Sequence, residues 1–195
     1  MIDWPDERVA EAARRGSREA FSVLVARYAR RVHSLCLRMT GRSEDAEDAA
    51  QDVFLRAFAA IERYEPRRRF APWLLAIAAN ACRNRVRDRF SVERVAGTAR
   101  DGARSTAPSP PSDAPLVAAE DGAAIRAALA ALPPLDRLSL LLRYEEGLSL
   151  EETAAALGMP RGRAAVRVFR AKARLRSELG AFRRASVVEI RQHEE

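Results

Sequence analysis

Between residues 17 and 39 the apolar positions recur every three or four residues: Phe21, Leu24, Val25, Tyr28, Val32, Leu35, Cys36 and Met39. That interval lines one side of an α-helix, so the spacing predicts a helix with a single buried stripe. Thr40-Gly41 ends it, glycine being able to take the left-handed geometry that closes a helix. Ser43 is placed to cap a second helix, whose buried face is Ala46, Ala49, Ala50, Val53, Phe54, Ala57, Phe58 and Ile61. A third, over about 70–89, carries Phe70, Trp73, Leu74, Ile77, Ala78 and Ala81 at the same period. With a shorter helix over about 5–15, the pattern predicts a four-helix bundle.

The periodicity fails near residue 90. "GTARDGARSTAPSPPSDAP" (97–115) is rich in Gly, Ser, Thr and Pro, without an apolar repeat, and reads as a flexible linker. Helical pattern returns at about 119 and is broken at Pro133-Pro134, Gly147, Gly158-Met159-Pro160 and Gly180. The expected fold class is therefore all-α, in two small helical domains. The first spans 1–90 and the second 119–180, with a linker over 91–118 and a mixed-charge extension over 181–195 to which no role is assigned. No internal repeat and no strand-like alternation is evident.

Composition changes this picture only modestly. Alanine, leucine and arginine dominate, which favours helices, and 195 residues at 48% hydrophobic suffice for the cores of two small domains. The formal charge is +7, almost all from arginine, with Lys172 the only lysine. Such a balance points to an anionic partner, nucleic acid ahead of a membrane surface, although G+C-rich codon usage inflates arginine and alanine alike. Cys36 and Cys82 fall in helical segments and are expected as reduced thiols of a cytoplasmic protein. With His33 and His193 the only histidines, no cluster has metal-ligand spacing, and neither metal nor cofactor is expected. The charged N-terminus resembles no signal peptide, and no run approaches the roughly 20 apolar residues of a membrane span. A soluble, cytoplasmic protein without membrane insertion is expected.

Three stretches carry candidate chemistry. In "SEDAEDAAQD" (43–52) five of ten residues are acidic. Asp45, Asp48 and Asp52 recur at three and four along one flank, with Gln51 beside them. Acids in a first turn complement the helix dipole, which accounts for Glu44 and Asp45. Asp52, more than two turns in, lies beyond that effect. The flank is either a docking surface for a basic partner or a solvated face.

Next, in "IERYEPRRRFAPWLL", Arg67, Arg68 and Arg69 sit in a proline-bounded loop among Tyr64, Phe70 and Trp73. Cations interleaved with aromatic rings suit single-stranded DNA, which offers phosphates and unstacked base faces. Phe70 and Trp73 also belong to the apolar stripe, and for Trp73 the core is the favoured place. Asn80, Arg83, Arg85, Arg87 and Arg89 continue along the following helix.

Finally, "EGLSLEETAAALGMPRGRAAVRVFRAKARL" (146–175) has the form of a helix-turn-helix. Ser149 and Glu152 make a capping box, Gly158 falls at the turn, and Pro160 opens the second helix. That helix carries Arg161, Arg163, Arg167, Arg170, Lys172, Arg174 and Arg176 with no acid among them. Seven cations on a few turns repel one another in water, so a phosphate-lined groove is the favoured partner.

These motifs, in this order, resemble the sigma factors of bacterial RNA polymerase, specifically the compact extracytoplasmic-function (ECF) group of the sigma-70 family. "DAEDAAQDVFLRAF", with "REAFSVLVARYARRVHSLCLRMTG" before it and "YEPRRRFAPWLLAIAANACRNRVR" after it, is similar to sigma region 2; "LPPLDRLSLLLRYEEGLSLEETAAALGM" is similar to sigma region 4. The resemblance covers about residues 6–89 and 119–179. It implies that Asp45, Asp48, Gln51 and Asp52 dock on the β′ clamp helices of core RNA polymerase. It further implies that Tyr64, Arg67, Arg68, Arg69, Phe70, Trp73, Asn80, Arg83 and Arg87 grip the melted −10 element. Arg161, Arg163, Arg167, Arg170, Lys172 and Arg174 would meet the −35 duplex.

Implied partners are core polymerase (β′ clamp helices and β flap), promoter DNA and an anti-sigma factor; no catalytic residue is implied. The recognition helix departs from the family. Where members carry Gly-Thr-Val-Lys-Ser-Arg, this chain has Gly162-Arg163-Ala164-Ala165-Val166-Arg167, so the preferred −35 sequence does not transfer. A free-standing regulator using only the C-terminal lobe is the alternative. A nuclease would need carboxylates converging on a metal, not spread along one helix.

Overall fold

The computed structural model describes residues 3–95 and 116–192, with side chains for 3–88 and 122–180. Eight helices follow in order: α1 Asp6–Arg14, α2 Arg18–Thr40, α3 Ser43–Ala60, α4 Phe70–Val95, α5 Leu116–Ala131, α6 Pro134–Leu140, α7 Leu150–Leu157 and α8 Arg161–Gln192. A 3₁₀ turn, Ile61–Arg63, follows α3, and a π-helical stretch, Leu141–Glu145, follows α6. No strand occurs among the described residues. Of the expected linker, residues 96–115 lie outside the described residues, while its two flanks continue α4 and begin α5. The break expected at Gly180 does not occur: α8 runs through it, the ~1 kcal/mol that a mid-helix glycine costs being outweighed by good helix formers around it.

Local signals place most boundaries. Ser17 caps α2, its side chain accepting from the Ala20 amide at 3.1 Å, and Gly41 closes α2 at φ 73°. For α3 the expected serine cap is displaced. Arg42 is the extended N-cap residue without a side-chain bond, and Ser43 is already helical, its hydroxyl donating to Glu47 at 3.1 Å.

The N-terminal lobe is α1–α4. Its core joins Leu24, Val32, Leu35 and Met39 of α2 to Val53 and Ala57 of α3 and to Leu74, Leu75 and Ala78 of α4. Cys36 and Cys82 are free and buried there, their sulfurs 3.6 Å apart. Asp6 of α1 accepts from Tyr28 at 2.5 Å and pairs with Arg27. Burial first, and Asp6 second, push the Tyr28 phenol well above its ordinary range.

The two lobes are docked, not merely tethered. Leu138, Leu141, Leu142, Leu148, Ala156 and Leu157 of the C-terminal lobe share one continuous apolar core with α1–α4. Around it, Arg31 pairs with the buried Glu146 and donates to its carbonyl at 2.7 Å; Arg38 pairs with Glu145 at 2.7 Å. Arg137 of α6 donates to the Arg38 and Met39 carbonyls at the end of α2, both at 3.3 Å. Arg83 of α4 reciprocates with the Leu157 carbonyl ending α7, at 2.8 Å. Guanidinium groups suit both places because the last carbonyls of a helix lack partners and carry its negative dipole end.

Candidate nucleic-acid interface

The acidic flank of α3 is open to solvent. Ala46, Ala49, Ala50 and Val53 turn inward, leaving Asp48 and Gln51 exposed and Asp45 and Asp52 half-exposed. Asp48 pairs with Arg85 at 2.6 Å and Asp52 with Arg56, one turn on, at 2.9 Å. Exposed pairs of this kind contribute little to stability and exchange readily for a basic partner. The same flank continues into Leu55, 64% exposed, and Phe58, 49% exposed. Phe58 was expected in the core; instead it lies on the surface with one edge against Phe21, ring centres 5.0 Å apart. Leu55 was not singled out in the sequence. Its place three residues beyond Asp52 was the available signal.

The aromatic-basic loop divides differently from the sequence expectation. Arg67, Arg68 and Arg69 are exposed, but Tyr64 and Phe70 are fully buried. Tyr64 packs edge-on against Phe70 and Trp73, and Tyr28 packs edge-on against Phe70, with ring centres 5.4 to 5.6 Å apart. The Tyr64 hydroxyl donates to the Arg68 carbonyl at 2.5 Å, tying the loop to the core, and Glu7 of α1 accepts from the first amide of α4 at 3.3 Å. Tyr64 and Phe70 therefore offer no face to an unstacked base in this arrangement, which corrects their assignment as stacking residues. Both fill the corner where α1, α2 and α4 meet, and the mixed exposure is left to Trp73. Burial, then the negative charges of Glu7 and Asp6, push the Tyr64 phenol up to about 12.

Along α4, Asn80 and Arg87 are exposed and Arg83 is half-buried, bonded both to Asn80 and to the Leu157 carbonyl. Arg69 reaches Glu152 of α7 at 3.3 Å. Two of the arginines expected to grip single-stranded DNA thus hold the C-terminal lobe.

In that lobe the helix-turn-helix forms as expected. Ser149 accepts from the Glu152 amide at 3.1 Å and Glu152 accepts from the Ser149 amide at 2.7 Å, completing the capping box. Gly158 turns the chain at φ 64°, and Pro160 leads into α8. The α8 cations divide. Arg161 pairs with Glu151 at 2.5 Å. Arg167 and Arg174 both converge on Asp136 of α6, which is only 3% exposed, Arg167 at 2.6 Å. Lys172 stands over the Tyr144 ring, 5.7 Å from its centre. Arg163 and Arg170 are exposed with no ion-pair partner among the described residues. Asp136 was not anticipated, because nothing in "LPPLDRL" marks its aspartate as buried.

No group of three or more potential metal ligands occurs among the described residues, nor any helix long and apolar enough to cross a membrane.

Known proteins share both lobes. The family description Sigma-70 region 2 matches residues 24–90, and Sigma-70, region 4 matches 122–175. The ECF RNA polymerase sigma factor SigW of Bacillus subtilis is 33% identical over 179 residues, covering 85% of this chain and 92% of that protein. RNA polymerase sigma factor CarQ of Myxococcus xanthus is 36% identical over 170 residues, covering 87% and 95%. Among solved structures, CnrH in complex with the cytosolic domain of CnrY superposes with a TM-score of 0.65 at 26% identity, over 90% of this chain and 97% of that one. The chain belongs to the extracytoplasmic-function group of the sigma-70 family and is a sigma factor, a polymerase-binding protein that directs transcription from promoters.

Proposed function

We propose that the three surfaces divide the work of promoter opening among specific residues. Asp48, Gln51 and Asp52, with Asp45 behind them, dock on the β′ clamp helices of core polymerase. Arg67, Arg68, Arg69, Asn80, Arg83 and Arg87, with the half-exposed Trp73, hold the separated −10 strand by its phosphates. Helix α8 enters the major groove of the −35 element, and the C-terminal lobe meets the β flap. The protein contributes no catalytic group and works in the cytoplasm, where core polymerase supplies the phosphodiester chemistry. An anti-sigma factor is the expected restraining partner, as the cytosolic domain of CnrY is bound to CnrH in that structure.

One observation carries this reading. A protein of formal charge +7 keeps an open acidic flank on α3 and an arginine-rich helix-turn-helix on the other lobe. A duplex-binding regulator has no use for the first of these.

The test is reconstitution with cognate core polymerase, mapping transcript starts on fragmented genomic DNA. The Asp48→Arg/Asp52→Arg variant is expected to fold normally, both side chains being solvated, and to lose core binding and all specific starts. Undiminished starts with the variant would remove the docking role. Tight duplex binding by the wild type, without any start, would favour the free-standing regulator instead.

A further inference from the structure

We propose that Cys36 and Cys82 are a dithiol that a hydroperoxide converts to an intramolecular disulfide, a modification that staples α2 to α4 inside the N-terminal lobe. The inference stands apart from the polymerase and DNA surfaces, none of which uses either thiol.

These are the only two cysteines of the chain. They stand 46 residues apart on different helices, yet the fold sets their sulfurs 3.6 Å from each other, with the Cys82 S–H donating to Cys36. Both are free and fully buried among the apolar side chains that join α2, α3 and α4. A buried cysteine by itself is a small, inert apolar residue, and alanine would serve in either place. Two in contact are a different object, because each supplies what the other needs to be oxidised. At this separation a bond requires rotation of two side chains and a slight closing of the helices, not a new fold. In reducing compartments such bonds are typically transient and redox-sensing.

The hydrogen bond gives the two sulfurs separate roles. Accepting the Cys82 S–H holds the Cys36 thiol below its ordinary value, with burial opposing, while the same bond and then burial push Cys82 up. Cys36 is therefore the sulfur that attacks. Its thiolate takes one oxygen of the hydroperoxide, the O–O bond breaks, and the departing oxygen collects the Cys36 proton, leaving as an alcohol, or as water from hydrogen peroxide. Cys36 is then a sulfenic acid. Cys82 attacks its sulfur, the S–O bond breaks, and the hydroxide leaves with the Cys82 proton as water. In sum the two thiols lose two electrons and two protons, and the hydroperoxide is reduced to an alcohol and water. The product is neutral, which suits an apolar core; a sulfinate or a metal dithiolate there would leave a buried charge without a counter-ion. Since both sulfurs are enclosed, oxidation proceeds through transient openings of the α2–α4 contact, and the bond then opposes the next opening. Closing a loop of this length restricts the unfolded chain, and because both lobes share one core the restraint serves the whole molecule.

The experiment treats the full-length, reduced protein with hydrogen peroxide, quenches with catalase, alkylates in denaturant and weighs the intact chain. The wild type is expected to lose both alkylatable thiols together, to become lighter by two hydrogens, and to recover both thiols in dithiothreitol. Its urea midpoint should rise on oxidation by roughly 1 M or more and fall back on reduction. Cys82→Ala should lose the Cys36 thiol several-fold more slowly, the S–H donor being gone, and neither it nor Cys36→Ala should gain stability from peroxide. If either variant fails to fold, the oxidised and reduced wild type decide the matter alone. Survival of both thiols at a peroxide concentration that consumes glutathione in the same solution would overturn the proposal. So would a disulfide between two copies of the chain, or an internal one that lowers the midpoint.

Discussion

Beneath α8, the Asp136 carboxylate accepts from Arg167 and Arg174 at once, and so decides which arginines of a crowded helix face outward. Asp136→Asn removes the charge that both guanidinium groups share. Both arginines can swing into water, so the loss is expected at about 1–3 kcal/mol, the scale of charge-assisted bonds, and short of the cost of an orphaned buried ion. Denaturant unfolding of the variant against wild type measures it. In the other lobe, the buried phenols of Tyr28 and Tyr64 hold their protons more tightly when folded than unfolded. The sign follows from proton counts: between the ordinary tyrosine value and about 12 the folded state binds more protons, so stability is complete below about pH 10 and falls as pH rises through that window. Phenolate absorbance followed together with circular dichroism should show these two tyrosines ionising only as the helices melt.

At the scale of elements, what could be read from the sequence is what local chemistry decides. The turn into α8 is written in Ser149, Glu152, Gly158 and Pro160, each acting on its own few residues of backbone, and all four stand where the spacing put them. Ser149→Ala should cost about 1 kcal/mol by releasing the Glu152 amide, measurable as a lowered unfolding midpoint. What the sequence could not show depends on which element lies across the way. Phe58 has the period of a core residue but no helix among the described residues covers it, so it joins the acidic flank outside. Tyr64 and Phe70 look like an aromatic-basic surface, yet α1 arrives over them and supplies Asp6 and Glu7. Asp136 is a first-turn acid of a short helix, and only the approach of α8 makes it an anchor. The exposure of the three loop arginines was thus legible in the sequence, and that of two of its three rings was misread.

For the whole molecule, the decisive fact is that both lobes close on one core. Around that core each ion pair joins an arginine of α2 or of the α4 approach to a glutamate of the C-terminal lobe: Arg31 to Glu146, Arg38 to Glu145, Arg69 to Glu152. Burial raises the Glu145 carboxyl above its ordinary value, with Arg38 opposing, so charge at this contact is not freely held. Removing Glu146 and Glu152 together should loosen the docked arrangement, read by small-angle X-ray scattering as a larger radius of gyration. The effect on the wild type of raising salt should be weaker, since salt screens the exposed Arg69–Glu152 pair more than the pair that holds the buried Glu146 and leaves the shared apolar core in place.

Arg83 and Arg69 belong to two accounts at once. Bonded to the Leu157 carbonyl and to Glu152 they fasten the lobes; in the function proposed above, bonded to phosphate, they hold the −10 strand. The same donors cannot serve both, so closing and strand capture are rivals for one set of hydrogens, and the apparent affinity for DNA is divided by the preference for staying shut. A substitution that touches no nucleotide, Glu152→Ala, should therefore make the full-length protein bind −10 single strand more tightly, a gain of function obtained by deleting an acid on the opposite lobe.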